Sequence, residues 1–195
     1  MRTVIALLLA GMMAPAAFAG LDQATDSFGV YFDAAGNTNC TTASAFQMVT
    51  AYLILMNPAA PTDGFECTVT MSGAPHFVLG TDACGSQIDC DYCAGPYRFA
   101  LGCPELYPVP ADGVLVLVRW LLMLQAPTEL LFRIGPGMNP SLPGGLPVAI
   151  GNGEFRLCQV ASGDVDLPVA GINTGANCPV ASDLNSFGTV KSLFR

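Results

Sequence analysis

Cysteine is the residue type in this sequence that offers the most chemistry. The 195-residue chain holds eight cysteines, and four of them fall within twenty residues around a Cys-x2-Cys pair. An even number of cysteines in an oxidising compartment predicts disulfides, whereas such a group of four in a reducing compartment is typical of a zinc site. The eight are Cys40, Cys67, Cys84, Cys90, Cys93, Cys103, Cys158 and Cys178.

The first residues decide between these compartments. Residues 1–19 have the pattern of a cleavable signal peptide, with Arg2, an apolar core and the small–x–small site Ala17-Phe18-Ala19 before Gly20. The apolar core is too short to cross ~30 Å of hydrocarbon as a helix. We therefore expect a protein that is periplasmic, on the cell surface or extracellular, with no stable membrane insertion after cleavage.

Export makes all eight cysteines disulfide candidates. Eight cysteines allow 105 connectivities, so the sequence leaves the pairing open. We expect the four clustered cysteines to staple a disulfide-rich excursion, residues 82–103, and the other four to tie the domain and its C-terminal segment. A redox-active Cys-x2-Cys pair is disfavoured, because no basic neighbour lowers a thiol pKa and no βαβ pattern surrounds it. At most two thiols are expected to stay free.

Two groups of oxygen-bearing side chains raise the question of calcium. They are Asp82, Asp89 and Asp91 around the cysteine cluster, and Asp33, Asn37 and Asn39 in an earlier turn. Neither group has the spacing of an EF-hand loop, and polar turns of this kind are commonly just solvated. The sequence leaves open whether the first group binds calcium, and it predicts no metal site or cofactor.

Catalysis finds little support. His76 is the one histidine, and it precedes three apolar residues with no serine or cysteine in a recognisable nucleophile setting. The fifteen acidic residues make carboxylate pairs common by chance, so such a pair is no evidence for a hydrolase.

The formal charge of −8 becomes −9 when Arg2 leaves with the signal peptide, and the sequence has no basic stripe that could bind nucleic acid. We expect no enzyme and no nucleic-acid partner.

The elements that must hold these residues are strands. Residues 65–71 alternate apolar and polar side chains, and residues 114–124 are an almost continuous apolar run interrupted by Arg119, for which we favour a central strand over a buried helix. Gly151-Asn152-Gly153 predicts a hairpin turn. The pattern predicts an all-β, two-sheet sandwich over residues 20–181. Its strands are residues 27–32, 46–56, 65–71, 76–79, 97–101, 114–124, 128–134, 146–150, 154–160 and 169–172.

Residues 182–195 differ from the rest. Their apolar side chains recur at spacings of three and four, with two cations near the end, which predicts a short amphipathic C-terminal helix or tail. Two roles stay open: the tail packs on the sandwich, or it is a sorting tag. The apolar positions are Leu184, Phe187, Val190 and Phe194, and the cations are Lys191 and Arg195.

Short motifs carry two resemblances. Tyr31-Phe32-Asp33, Gly64-Phe65-Glu66-Cys67, Ala170-Gly171-Ile172-Asn173 and the tail from Phe187 to Arg195 resemble a group of uncharacterised secreted bacterial proteins with an aromatic-Gly-x-Val-Lys-x-Leu-aromatic-Arg ending. The strand order is also similar to cohesin-like and related carbohydrate-binding sandwiches, notably the strand after Gly64 and the one after Asp112-Gly113. The resemblance implies an immunoglobulin-like or cohesin-like sandwich and no known activity.

Two classes of function follow. The first is a non-enzymatic cell-envelope or extracellular module with a structural or protein-binding role, and the second is a carbohydrate-binding or adhesion module; a secreted hydrolase is a more distant alternative. Trp120 lies in the most apolar strand, so we expect it in the core, which favours a protein partner over a glycan. We expect residues 84–103 to carry the specificity, because loops on a rigid scaffold hold most binding functions.

Overall fold

The computed structural model describes residues 21–84, 86–87 and 97–179. Within these ranges it contains thirteen strands and one 3₁₀ turn, Gly175–Asn177. The signal-peptide residues 1–19, the tail 182–195 and the pair Cys90 and Cys93 lie outside the described residues. None of the described helical residues forms a helix long and apolar enough to span a membrane.

The strands form two sheets. Sheet A has the order β12-β1-β3-β8-β5-β6, and sheet B has the order β11-β10-β4-β9-β13-β2, with β7 on the other side of β4. Two pairs are parallel, β1 with β12 and β13 with β2, and the other pairs are antiparallel. In chain order the strands are β1 (Ser27–Tyr31), β2 (Cys40–Thr41), β3 (Met48–Met56), β4 (Thr62–Gly73), β5 (His76–Ala83), β6 (Ser86–Gln87), β7 (Tyr97–Tyr107), β8 (Val114–Leu124), β9 (Leu130–Gly135), β10 (Val148–Gly151), β11 (Glu154–Leu157), β12 (Gln159–Val160) and β13 (Ala170–Ile172).

This architecture confirms the predicted all-β, two-sheet sandwich. The core lies between the sheets, where the inward side chains of both interdigitate. Trp120 is fully buried, as predicted, and its ring centroid lies 5.4 Å from that of Tyr97 of the opposite sheet. Phe65 and Phe99 make a similar contact at 5.4 Å within sheet B. The contacts of Trp120 with Tyr97 and Phe99 cross between the sheets and hold them face to face.

Strand β8 confirms the choice of strand over helix for residues 114–124. Gly113 adopts a φ of 73°, a left-handed conformation that glycine takes without steric cost, and the Asp112 carboxylate accepts a hydrogen bond from the Val114 amide at 3.2 Å. The turn therefore delivers the chain directly into the centre of sheet A, between β3 and β5.

Several strands are longer than predicted. β5 continues to Ala83 and β7 to Tyr107, because a bulge between Val78 and Gly80 and a register shift near Thr62 of β4 break the simple alternation. The hairpin turn is Asn152-Gly153, with φ of 54° and 78°, the two positive values that a type I′ turn requires. After β11 the chain leaves sheet B, and β12 pairs with β1 of sheet A.

Candidate binding surface

Two disulfides stand in the described part of the chain. Cys40 bonds Cys178, with 5.9 Å between their Cα atoms, and Cys84 bonds Cys103, with 5.2 Å. The first ties the short edge strand β2 to the residues after β13, and the second ties the ends of the predicted excursion. Cys90 and Cys93 lie outside the described residues, so their pairing stays a prediction.

Cys67 and Cys158 are expected from the sequence to form disulfides that tie the domain together, but in the structure both are free, buried thiols. The Cys158 amide donates to the Pro147 carbonyl at 2.9 Å, and Val148 pairs with Glu66, the residue before Cys67. The chain of β10 therefore lies between the two cysteines. Two strand spacings amount to about 10 Å between Cα atoms, beyond the roughly 7 Å that a disulfide can bridge.

The predicted oxygen-rich groups are engaged in local structure. The guanidinium of Arg119 donates to the Asp82 carboxylate through Nε at 2.9 Å and also through Nη2. Asp33 accepts hydrogen bonds from the amides of Ala35 and Asn37 at 3.0 and 3.1 Å, which closes its own turn. Among the described residues no group of three histidine, cysteine or acidic side chains is placed to hold a metal ion. Asp89 and Asp91 lie outside them.

Asn39 and His76 likewise bond to the backbone. The buried Asn39 side chain donates to the carbonyls of Val169 and Pro179 at 3.2 and 2.6 Å. The His76 Nδ1 lies 2.8 Å from the Ala74 carbonyl, two residues away at the start of β5. Both contacts hold the chain in place, Asn39 beside β13 and His76 at the start of β5.

One cleft of about 490 Å³ opens beside the ion pair of Asp82 and Arg119. Tyr107 lines it from the end of β7, and its hydroxyl donates to the Cys84 carbonyl at 3.1 Å. Its other lining residues are aliphatic, Val116, Leu117 and Val118. Among the described residues that line this cleft, a single surface ion pair and one tyrosine do not supply a nucleophile, a base and an oxyanion site.

The outer surface of sheet A is more informative. Cross-strand partners share a face of the sheet, and the register places Met48 of β3, Met123 of β8 and Phe77 of β5 in one row. Leu121 lies in the next row, and Leu79 occupies the bulge of β5. Met48 is 61% exposed and Phe77 48%. These side chains thus form a contiguous apolar surface across three strands.

Phe46 lies at the margin of this surface, two residues before the start of β3. It is 69% exposed, and its φ of 62° places a bulky side chain in the left-handed region, where such residues are rarely found. A hydrogen bond of 2.6 Å from its amide to the Leu124 carbonyl holds it there. We call Phe46, Met48, Phe77, Leu79, Leu121 and Met123 together the apolar face.

A polar row bounds the apolar face. The register aligns Tyr52 of β3 with Arg119 of β8 and Asp82 of β5. The side chain of Arg119 is 58% exposed and that of Asp82 31%, so solvent screens their attraction and the pair contributes little to stability. The ion pair lies instead at the boundary between the exposed apolar face and the covered part of the same sheet surface.

Beyond the polar row, the outer surface of sheet A is covered by the protein itself. Tyr31, Ile54 and Met56 form a second buried cluster there, against which Val114 and Val116 of β8 pack. The turn at Gly36 lies over it, since a Cβ on that glycine would stand 3.0 Å from the Met56 sulfur. The same sheet surface is therefore a small core at one end and open to solvent at the other, as far as the described residues extend.

The outer surface of sheet B differs in character. Thr68, Thr70 and Ser72 of β4 face outward, and the register pairs the first two with Arg98 and Arg133. Arg133 donates to the Ser72 hydroxyl at 2.9 Å. Exposed apolar side chains occur on this sheet at β11, at Phe155 and Leu157. The central strands of sheet B are thus polar outside, unlike those of sheet A.

Sequence reasoning named none of the apolar-face residues. Met48, Phe77, Leu121 and Met123 are ordinary strand residues until the register shows which of them point outward. One signal was present: a strand that is apolar on both faces, as β8 is, requires a cover on both faces.

Comparisons with known proteins give a structural likeness and no likeness in sequence. No family model matches this chain, and no curated protein matches it. Among solved structures, the chain is similar to a type II cohesin domain from the cellulosome of Acetivibrio cellulolyticus, with a TM-score of 0.49 and 15% identity over 78% of this chain and 97% of that one. This likeness assigns no residue of the chain a role.

Proposed function

We propose that this protein is an exported, non-enzymatic module that binds another protein through the apolar face. The observation that carries the proposal is the half of sheet A that the described residues leave uncovered, where the central strand β8 directs the exposed Leu121 and the half-buried Met123 outward. Contiguous exposed apolar patches rimmed by polar residues mark interaction surfaces. Here the row of Tyr52, Arg119 and Asp82 supplies one such rim.

The composition of the apolar face favours a protein partner. Methionine is unbranched and adapts to irregular partners, so two of them beside leucine and phenylalanine suit a side-chain surface rather than one rigid small molecule. Burial of such a surface stabilises a complex by roughly 25 cal/mol per Å² before the costs of association. Trp120, the one tryptophan of the chain, is in the core and takes no part.

Export is supported by the disulfides. Such bonds persist in oxidising compartments, and two of them stand in the described part of the chain. Together with the signal-peptide pattern of residues 1–19, they support a periplasmic, cell-surface or extracellular location.

The test compares two outward-facing sets of substitutions in the mature chain, residues 20–195. The apolar-face variant is Met48→Ser/Phe77→Ser/Leu121→Ser, and the control on sheet B is Phe155→Ser/Leu157→Ser. Labelled protein is titrated onto cell envelopes of the producing organism, with and without prior trypsin treatment. We expect saturable, trypsin-sensitive binding that the apolar-face variant weakens at least tenfold and the control leaves unchanged.

Two outcomes would overturn the proposal. Equal binding by both variants would show that the apolar face is not the contact surface. Binding that survives trypsin but is lost after periodate oxidation of the envelope sugars would establish a glycan ligand instead. Thermal unfolding of both variants, within a few degrees of the parent, serves as the folding control.

A further inference from the structure

The chain after β13 is held firmly beside strand β2. Cys178 is bonded to Cys40 of that strand, and the side-chain amide of the buried Asn39 donates to the Pro179 carbonyl at 2.6 Å. Residues 182–195 therefore start from a fixed point, although they lie outside the described residues.

Cys40, the disulfide partner of Cys178, is only a few residues before the apolar face in the sequence. The segment from β2 to β3 is bonded to Asn173, whose side chain accepts from the Ala43 amide and donates to the Ala43 carbonyl, each at 2.9 Å. Eight residues after Cys40 the chain reaches Met48 in the apolar face. With 3.8 Å between consecutive Cα atoms, Cys40 is at most about 30 Å from Met48.

Residues 182–195 are long enough to cover this distance. Sixteen residues separate Cys178 from Phe194. Four extended residues followed by a helix from residue 182 span about 30 Å in total, and a fully extended segment spans about 55 Å. Either conformation brings the apolar positions of the segment onto the apolar face.

The chemistry of the two surfaces is complementary. The segment presents apolar side chains at spacings of three and four, the pattern by which an amphipathic helix docks into an adaptable apolar surface. Residues 20–181 hold fourteen acidic and four basic side chains, whereas the segment holds two basic and one acidic. Apolar contact and opposite net charge thus both favour association of residues 182–195 with the rest of the domain.

We propose that residues 182–195 occupy the apolar face of their own chain. The inference rests on the binding role proposed for the same surface. The anchor at Cys178 gives the segment an effective concentration on the order of millimolar, which favours binding within the chain over binding between chains. An external partner must then displace the segment, so its removal exposes the binding surface.

Site-specific photocrosslinking tests this placement. Mature protein carries p-benzoyl-phenylalanine in place of Phe77 on the apolar face, or in place of Phe155 on sheet B as the control. Irradiation of an equal mixture of unlabelled and ¹⁵N-labelled protein is followed by digestion and mass spectrometry. We expect the Phe77 probe to crosslink peptides from residues 182–195 at least tenfold more than the Phe155 probe, with both peptides carrying the same isotope.

Substitutions in the segment sharpen the test. Phe187→Ser/Phe194→Ser should reduce the crosslink at least fivefold, whereas Asn185→Ser/Thr189→Ser, on residues outside the apolar pattern, should leave it unchanged. Equal crosslinking from positions 77 and 155, or mixed-isotope pairs, would overturn occupation within the chain.

The truncated chain, residues 20–181, separates this inference from the proposed function. We expect it to bind envelopes at least tenfold more tightly than residues 20–195. If the crosslink fails while face-dependent envelope binding persists, the segment is not the occupant and the proposed function stands. If the crosslink forms but neither chain binds envelopes through the face, the segment is confirmed as occupant and the proposed function fails.

Discussion

At the residue scale, burial governs the chemistry of the two free thiols. It raises the pKa of Cys67 far above its ordinary value, and the nearby Cys158 adds to the effect. Burial also raises the pKa of Cys158 to about 12, with Asp26 acting in the same direction and Arg156 opposing it. Because only the thiolate is a nucleophile, both cysteines are inert in the folded protein.

These raised pKa values predict a loss of stability at alkaline pH. Well below pH 9, the ordinary pKa of a thiol, both thiols are protonated in the folded and unfolded states, so they add no pH dependence there. Above it the unfolded thiols lose protons that the folded ones keep, and stability falls by about 1.4 kcal/mol per pH unit for each thiol. Guanidinium unfolding between pH 7 and 11 should therefore show a shallower decline for Cys67→Ala/Cys158→Ala than for the parent.

The comparison isolates the thiols from other groups. Tyr97, whose pKa burial raises to about 12, contributes equally in parent and variant. Mass spectrometry before and after each titration checks that the Cys40–Cys178 and Cys84–Cys103 bonds are intact. Parallel curves for the two proteins would contradict the assignment of the decline to the thiols.

At the scale of elements, the two disulfides are predicted to differ in their effect. Cys40–Cys178 spans 138 residues and Cys84–Cys103 spans 19. In the chain-entropy account a longer loop restricts the unfolded state more, so losing the first bond should cost roughly 1.8 kcal/mol more than losing the second. Chemical unfolding of Cys40→Ser/Cys178→Ser and Cys84→Ser/Cys103→Ser checks the order, and a reversed order would refute it.

The strands could be predicted where local pattern and tertiary environment agree. The run from Val114 to Leu124 has turn residues before and after it, and Asn152-Gly153 suits a type I′ turn, so both elements were found. β5 was cut short, because the bulge at Leu79 reverses the alternation and places Thr81 inward. A bulge depends on the partner strand, which the sequence of β5 alone does not contain.

The binding surface could not be predicted, for a related reason. Phe77 lies 29 residues after Met48 and 46 residues before Met123 in the sequence. Only the register of β3, β8 and β5 brings the three into one row. The expected binding excursion, residues 84–103, is described only at its ends. The sequence allows the disulfide between Cys84 and Cys103 as one of many connectivities and does not single it out.

At the scale of the whole molecule, the prediction concerns mature protein recovered after export. Its N-terminus should be Gly20, and denaturing, non-reducing thiol titration should find no more than two free thiols, those of Cys67 and Cys158. This requires Cys90 and Cys93 to be paired. Six or more free thiols would contradict the oxidised state and favour a zinc site in the cysteine cluster.

The two parallel strand pairs have a consequence for the order in which the protein is made. β1 pairs early with β3 but gains β12 only after residue 160 has been synthesised, and β2 gains β13 only after residue 172. A chain that emerges from the ribosome N-terminus first thus cannot close either sheet edge, nor join Cys40 to Cys178, until it is almost complete. Until then no bond closes the 138-residue loop between Cys40 and Cys178, so this part of the nascent polypeptide can still be threaded through a narrow pore.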